Sequence, residues 1–333
     1  MSALGFMIEL RPGRRPAILR SPRPDLPALL ALGRPAASLP AAMATLHTLC
    51  AAGHRLAAGL ALQAARGDRS PVDGAARQAL RLAVAREQLL RIAHDWPRHL
   101  PGAPPTAPGL QACPLWQDAA AATDEARMQA LAGWLQQQWL GQPPSALVQA
   151  LDDDPVGAAL AWARHASGAL PALLASVLPR ALSLRTAHAP PELADTGPWN
   201  RLHDAHRRPA DNAGMRLIAR LHDLLRLALP DGQDWLHASA VAAAPGIGEA
   251  RVEVGRGLLH YRVGLDGDDC VATLRLQSPT DRNFHPRGLL AQALAGLQGA
   301  DAATDARCLA TAFDPCEPLR IVAAGAVLES GHA

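Results

Sequence analysis

Two thiols and two imidazoles are the side chains of this chain best suited to chemistry. His47, Cys50 and His54 lie in TLHTLCAAGH (45–54), and Cys316 lies in AFDPCEPLR (312–320). If residues 41–65 form one helix, the i, i+3, i+7 spacing at about 100° per residue keeps His47, Cys50 and His54 on one stripe, where imidazole and thiolate converge. With Cys316 added, the set is two His and two Cys, a composition that suits tetrahedral zinc, although the spacing matches no standard zinc motif. A helix with one Cys and two His is also ordinary packing, and Asp314-Pro315 ahead of Cys316 is also a simple turn. Cys113, Cys270 and Cys308 are read as small buried hydrophobes. The five cysteines form no CxxC and no even framework, which fits a reducing cytosol better than a disulfide-stapled fold.

Composition removes several function classes. The 32 basic residues are all arginine, so Walker phosphate loops, Schiff-base chemistry and a kinase lysine are excluded. No GxSxG elbow is present, and a hydrolase is not expected. A net charge of +2, 3% aromatic residues and a single Tyr provide neither a basic footprint nor a stacking platform, so no nucleic-acid partner is expected. Glu9 and Arg11 interrupt the apolar core that a signal peptide needs, and Pro40 and Pro171 break apolar uncharged stretches such as 35–54 and 166–179. The expectation is a cytoplasmic protein without membrane insertion.

The elements that must position the thiols are mainly helical. Residues 6–21 alternate around a Pro-Gly turn and predict an N-terminal β-hairpin. Helices are predicted over 41–65, 75–95, 118–140, 146–166 and 213–229. In the last, Leu217, Leu221, Leu224 and Ala228 share one face with Ile218 and Leu225 beside them. PGAPPTAPG (101–109) ends the second helix, and the Pro-rich, polar stretch 189–212 predicts a long surface loop. Val252, Val254, Leu259, Tyr261 and Val263 alternate with polar neighbours, GLDGDD (264–269) turns the chain, and Cys270, Ala272, Leu274 and Leu276 alternate on return. That pattern predicts a C-terminal β-hairpin. The 333 residues are read as a single discontinuous domain, with 1–100 and 248–320 forming the site region and 110–247 a helical middle.

The run 252–288, followed by FDPC (313–316), resembles the C-terminal part of nickel-iron hydrogenase large subunits, which read PRG…H, then APTxWNxxPRG, then DPCxxC. The N-terminal signature of that family is RxCxxCxxxH. Cys50 and His54 match its second cysteine and its histidine, whereas Thr45 and His47 replace the arginine and the first cysteine. Cys316 matches the first cysteine of DPCxxC, and Leu319 stands in place of the second. One thiolate survives from each pair. REQLLRIAHDWPRHL (86–100), with its DWP at 95–97, is similar to hydrogenase-like assembly proteins of the HupK/HoxV type. The likeness covers residues 1–100 loosely and 248–320 closely.

The resemblance implies an α+β, mainly helical fold, that of a shortened hydrogenase large subunit. A bimetallic centre needs four thiolates, and two can hold a single iron with its diatomic ligands. The implied function is therefore a non-catalytic scaffold in maturation, transiently holding iron with cyanide and carbonyl ligands through Cys50 and Cys316. His54 is a possible third ligand and His47 the weakest member of the set. Arg256, in GRG with Gly255 in place of the family's proline, would hydrogen-bond cyanide-like ligands. Pro279 and Thr280 match the PT pair, with a hydroxyl aimed at a second diatomic ligand, and Asp314 faces the pocket. Glu249, Glu253, His260, His285 and Arg287 belong to the same match and are equally explained by surface salt bridges. Nickel is not expected. The implied partners are a small maturation chaperone, the iron-ligand assembly proteins and the immature large subunit. The alternatives are a degenerate large-subunit homologue with a structural place in a redox complex, or a zinc-binding protein. Large subunits are also trimmed after the histidine of DPCxxCxxH, and here Leu319 and Val322 fill the second cysteine and histidine positions, so residues 321–333 are expected to remain.

Overall fold

The computed structural model describes residues 7–21, 24–104, 108–117, 123–186, 193–202, 209–323 and 326–330. In chain order it has strands β1 (Ile8–Leu10) and β2 (Ile18–Arg20), then helices α1 (Leu26–Ala31), α2 (Leu39–Leu46), α3 (Ala51–Ala65), α4 (Gly74–Leu90) and α5 (Trp96–His99). Helices α6 (Asp124–Leu135), α7 (Pro144–Asp153), α8 (Pro155–His165), α9 (Ala169–Ser183), α10 (Pro198–Leu202) and α11 (Ala213–Ala228) follow. Strands β3 (Ala238–Ala244), β4 (Ile247–Val254), β5 (Gly257–Leu265) and β6 (Val271–Gln277) precede helices α12 (Pro279–Asn283), α13 (Leu289–Ala295) and α14 (Ala302–Phe313). Strands β7 (Leu319–Ala323) and β8 (Ala326–Ser330) come last. The chain packs as two compact units, each assembled from separated segments. The smaller comprises residues 23–87 and 231–279, and the larger residues 1–22, 88–230 and 280–333.

In the smaller unit an antiparallel sheet in the order β3-β4-β5-β6 carries α3 on one face. Ala250, Val252 and Val254 from β4, and Leu259, Tyr261 and Val263 from β5, point inward at alternate positions. Two glycines let helix and strand pack closely, Gly53 against a strand side chain and Gly248 against the helix backbone. A Cβ on Gly53 would lie 2.4 Å from Val254 Cγ1, and one on Gly248 would lie 2.0 Å from the Ala61 carbonyl oxygen.

Two expectations fail here. The predicted helix 41–65 is broken: α2 ends at Leu46, a 3-10 turn occupies Thr48–Cys50, and α3 starts at Ala51. His47 (φ −113°, ψ 63°) and Cys50 (φ −130°, ψ 35°) are the non-helical joints. The glycine-mediated approach to β4 fixes the direction of α3, and the chain bends at 47–50 to enter it. The leg 252–263 is likewise two strands, since Val254 pairs with Gly257 across a two-residue turn at Gly255-Arg256. A register shift between Gly264 and Leu265 puts a bulge opposite, at Ala272. The face therefore changes there, and Val271 and Leu274 are buried rather than Ala272.

The larger unit is helical around α11, which Asn212 caps by accepting the Met215 N–H at 2.9 Å. The predicted apolar face is inward, and so are Arg216, Arg220, His222 and Asp223. The predicted helix 146–166 splits at Asp154-Pro155 into α7 and α8. Proline lacks the N–H that would continue the helix, and the Asp154 side chain caps the new start by accepting from Gly157 N–H at 3.0 Å. Of the predicted helix 118–140, residues 118–122 lie outside the described residues. Of the predicted surface loop 189–212, residues 189–192 and 203–208 lie outside them, and within the rest α10 buries Trp199 against Ala210 and Ala219. The N-terminal hairpin forms as predicted from β1 and β2 (Phe6 lies outside the described residues), and it also meets the other end of the chain. β1 pairs in parallel with β7, and β8 extends the sheet to the order β2-β1-β7-β8.

Candidate functional site

In the larger unit, α14 ends at Asp314, which takes a left-handed conformation (φ 51°, ψ 77°). A non-glycine residue holds that conformation when its surroundings dictate it. Here Asp314 is buried between two buried arginines, with Oδ1 3.2 Å from Arg91 Nε and Oδ2 2.9 Å from Arg220 on α11. One turn earlier on α11, the Arg216 guanidinium lies 4.2 Å from the ring centroid of Phe313, the residue before Asp314. Asn283 donates its side-chain amide to the Phe313 carbonyl at 3.3 Å.

Cys316 follows directly. Its half-buried thiol lies 3.1 Å from Thr280 Oγ1, and its N–H donates to the same oxygen at 3.4 Å. Thr280 is buried, so this hydroxyl is fixed beside the sulfur. Outside the pair, Arg20 on β2 bridges Asp281 at 2.8 Å and Glu317 at 2.6 Å. The neighbours of Thr280 and Cys316 are thus tied together by one guanidinium. Pro279, buried, opens the α12 turn that carries Thr280.

Arg91 reaches Asp314 from an irregular turn. Residues Arg91–Asp95 are π-helical, with the Trp96 N–H donating to the Arg91 carbonyl. Pro97 accounts for the widening, because its ring has no N–H and would strike the carbonyl four residues back in a regular helix. Arg91 also pairs with Asp95, so the DWP motif supplies a carboxylate that holds the arginine.

In the smaller unit the three remaining ligand candidates are neighbours but not a helical stripe. His47 and His54 stack, with ring centroids 3.8 Å apart and planes 15° from parallel. Buried His54 shares a 2.7 Å hydrogen bond through Nδ1 with the Tyr261 hydroxyl on β5. Burial first, then the charge of nearby Cys50, pushes the Tyr261 phenol far above its usual range. The phenol keeps its proton and can donate to Nδ1 of a neutral imidazole. Cys50 is half-buried at the start of α3, the helix end that favours an anion. Among the described residues, no group of three or more His, Cys, Asp or Glu could hold a metal ion.

Arg256 sits in the β4–β5 turn, buried, with a terminal nitrogen 2.6 Å from Glu87 Oε1. Glu87 also explains Gly255, where a Cβ would lie 2.8 Å from the Glu87 carboxyl carbon. A proline ring would need the space the carboxylate fills. The other matched residues are satisfied locally. Glu249 pairs with Arg262 and His260, Glu253 accepts the His237 N–H at 2.8 Å, and His285 Nδ1 accepts the Arg287 N–H at 3.2 Å.

Sequence reasoning missed Arg91, Arg216, Arg220, Arg20, Glu87 and Tyr261. Three of these had a signal: Arg216 and Arg220 stand four apart in a helix with a strongly apolar face, and Arg91 stands four residues before Asp95 of DWP.

No protein-family model matches the chain. The hydrogenase expression/formation protein HoxV of Cupriavidus necator is 30% identical over 99% of both chains. HupK, the corresponding protein of Bradyrhizobium diazoefficiens, is 31% identical over 95% of this chain and 94% of its own. Among solved structures, an NAD+-reducing NiFe-hydrogenase in the H2-reduced state superposes with a TM-score of 0.54 at 17% identity, covering 90% of this chain and 91% of that chain. The Ni-Fe-Se hydrogenase from D. vulgaris Hildenborough gives 0.54 at 13%, covering 90% and 92%. The fold is thus α+β, mainly helical and of the hydrogenase large-subunit type. The near full-length identity to HoxV and HupK places the chain in the HoxV/HupK family of hydrogenase expression/formation proteins.

Proposed function

We propose that the chain is a non-catalytic scaffold in nickel-iron hydrogenase maturation. It takes iron carrying cyanide and carbonyl ligands as cargo, holds it transiently through Cys50 and Cys316, and passes it to the immature large subunit. Family membership supports the maturation role. The Cys316 loop supports the cargo: a half-buried thiol, 3.1 Å from a fixed hydroxyl, presented by an ion-paired turn. Thiolate is the donor that low-valent iron prefers, and a hydroxyl beside it can hydrogen-bond a diatomic ligand. Arg256, oriented by Glu87, and Asp314 complete the matched set, with Pro279 setting the turn. His54 is a further ligand candidate, and His47 a weaker one because it stacks on His54. With two of four thiolates replaced, at 47 and 319, nickel binding and hydrogen turnover are not expected. A small maturation chaperone and the iron-ligand assembly proteins are the partners of such a carrier, in the cytoplasm. No helix among the described residues is long and apolar enough to cross a membrane.

Metal analysis with infrared spectroscopy on protein purified anaerobically from a host expressing the maturation proteins is the test. Iron with cyanide and carbonyl bands, lost in Cys50→Ser and Cys316→Ser, is the expected result. Zinc without those bands would replace the proposal with a zinc-binding protein, and no metal would favour a structural large-subunit homologue.

A further inference from the structure

We infer that Arg91 and Arg220 are positioning residues for Cys316, acting through Asp314. The inference rests on Cys316 being the functional thiol. Asp314 is two residues from that thiol in a left-handed conformation, so the path of the chain into Pro315 and Cys316 depends on what holds its carboxylate. Two arginines from separate elements do so, one on each oxygen. Each is itself held. Arg91 is paired with Asp95 inside the π-helical turn that Pro97 imposes. Arg220 donates to the Gln88 side-chain oxygen, and the Gln88 amide donates to Asp223 at 2.6 Å. Asp223 in turn is gripped by Arg201, with Nε 2.7 Å from one oxygen and a terminal nitrogen 2.9 Å from the other.

This chain of buried, charge-assisted contacts gives the DWP segment a task that its sequence alone did not suggest. π-helical turns are uncommon and recur where a side chain must be aimed off the regular helical direction. The Arg91 turn aims one at the residue that sets the thiol loop. The second grip, Arg216 over Phe313, comes from the same stripe of α11 as Arg220, so one rigid helix fixes two successive residues of the loop entrance.

Hydrogen-deuterium exchange on the full chain, read in peptides spanning 314–319, is the test. Arg220→Gln and Asp314→Asn are each expected to raise exchange there by about tenfold or more, because a buried pair broken on one side frees its loop. Asparagine tolerates the left-handed conformation, so Asp314→Asn removes charge and little else. Exchange in β4 and β5 should stay within about twofold, and the double variant should exceed neither single by more than about twofold, since both cut one link. Arg220→Lys should restore protection, because one terminal nitrogen makes the Asp314 contact. An unchanged loop, a loosening shared by all of α11 and α14, or a lysine variant as open as the glutamine variant would overturn the inference. Hydrogenase maturation in the host is scored separately: a loosened loop together with normal maturation in Cys316→Ser would leave the positioning role standing and remove the scaffold reading.

Discussion

Replacing Gly248 by Ala should destabilise the smaller unit far more than replacing Gly53, although both glycines lie at the contact of α3 with β4. At Gly53 the added methyl meets Val254 Cγ1 at 2.4 Å, well inside the 3.4 Å at which ordinary contact begins. The obstacle is one side-chain methyl. Overpacking costs ~1–3 kcal/mol, and alanine returns about 0.8–1 kcal/mol of helix propensity, so a net loss of about 0–2 kcal/mol is expected. At Gly248 the methyl meets the Ala61 carbonyl oxygen at 2.0 Å and the Ala65 nitrogen at 2.4 Å. No rotamer relieves a backbone clash, so helix and strand must separate along their length, at ~3 kcal/mol or more. Val254→Ala separates the two cases. It should rescue Gly53→Ala with a coupling of about 1 kcal/mol or more and leave Gly248→Ala unimproved. Urea unfolding followed by far-ultraviolet circular dichroism measures both. A Gly248→Ala variant within about 0.5 kcal/mol of the parent, or one cured by Val254→Ala, would refute the argument that backbone proximity fixes the helix that begins after Cys50.

Glu87→Gln, which keeps an acceptor near Arg256 but removes its charge, should cost about 2 kcal/mol in thermal unfolding; an unchanged midpoint would mean that Arg256 is oriented by something else. Protein isolated from its own host with the maturation proteins present should show by intact mass that the tail 321–333 is retained, because Leu319 and Val322 occupy the positions of the cysteine and histidine landmarks; a species ending near Val322 would count against a carrier whose pocket is never sealed.

Local pattern carried the sequence reading where it was uninterrupted. The hairpin of β1 and β2, the apolar face of α11 and the alternation along β4 and β5 were visible because period two and period 3.6 survive in those segments. Tertiary contact overrode pattern elsewhere. Nothing within residues 41–65 marks a break, which arises because Gly53 and Gly248 draw α3 against a strand some 200 positions away in sequence. The bulge at Ala272 inverted a face assignment for a similar reason, since pairing with β5 rather than the local sequence decides it. The site divides the same way. Cys50, His54, Thr280, Asp314 and Cys316 could be matched as types at spacings, whereas the burial and the partners of Arg91, Arg220 and Glu87 could not be read, because a buried charged side chain in sequence looks like a solvated one.

Leu319 shows how the loss of a ligand and the gain of a fold element can be one change. In β7 it pairs with Ile8 of β1, and Ile321 pairs with Leu10, all four side chains buried. Between them Arg320 faces the other side and meets Glu9 at 2.9 Å through Nε. The segment after Cys316 therefore alternates as an interior strand requires, and burying a leucine there contributes about 1.5–3 kcal/mol. A thiol at 319 would sit in an apolar sheet with less to bury, and a strand that began by binding metal would have to leave the pairing that joins the two ends of the chain. Three residues upstream, Cys316 lies before the strand on a turn fixed by ion pairs instead of by sheet hydrogen bonds. The boundary between a loop that presents a sulfur and a strand that closes the sheet falls between those two positions, which is where the hydrogenase pattern and this sequence part.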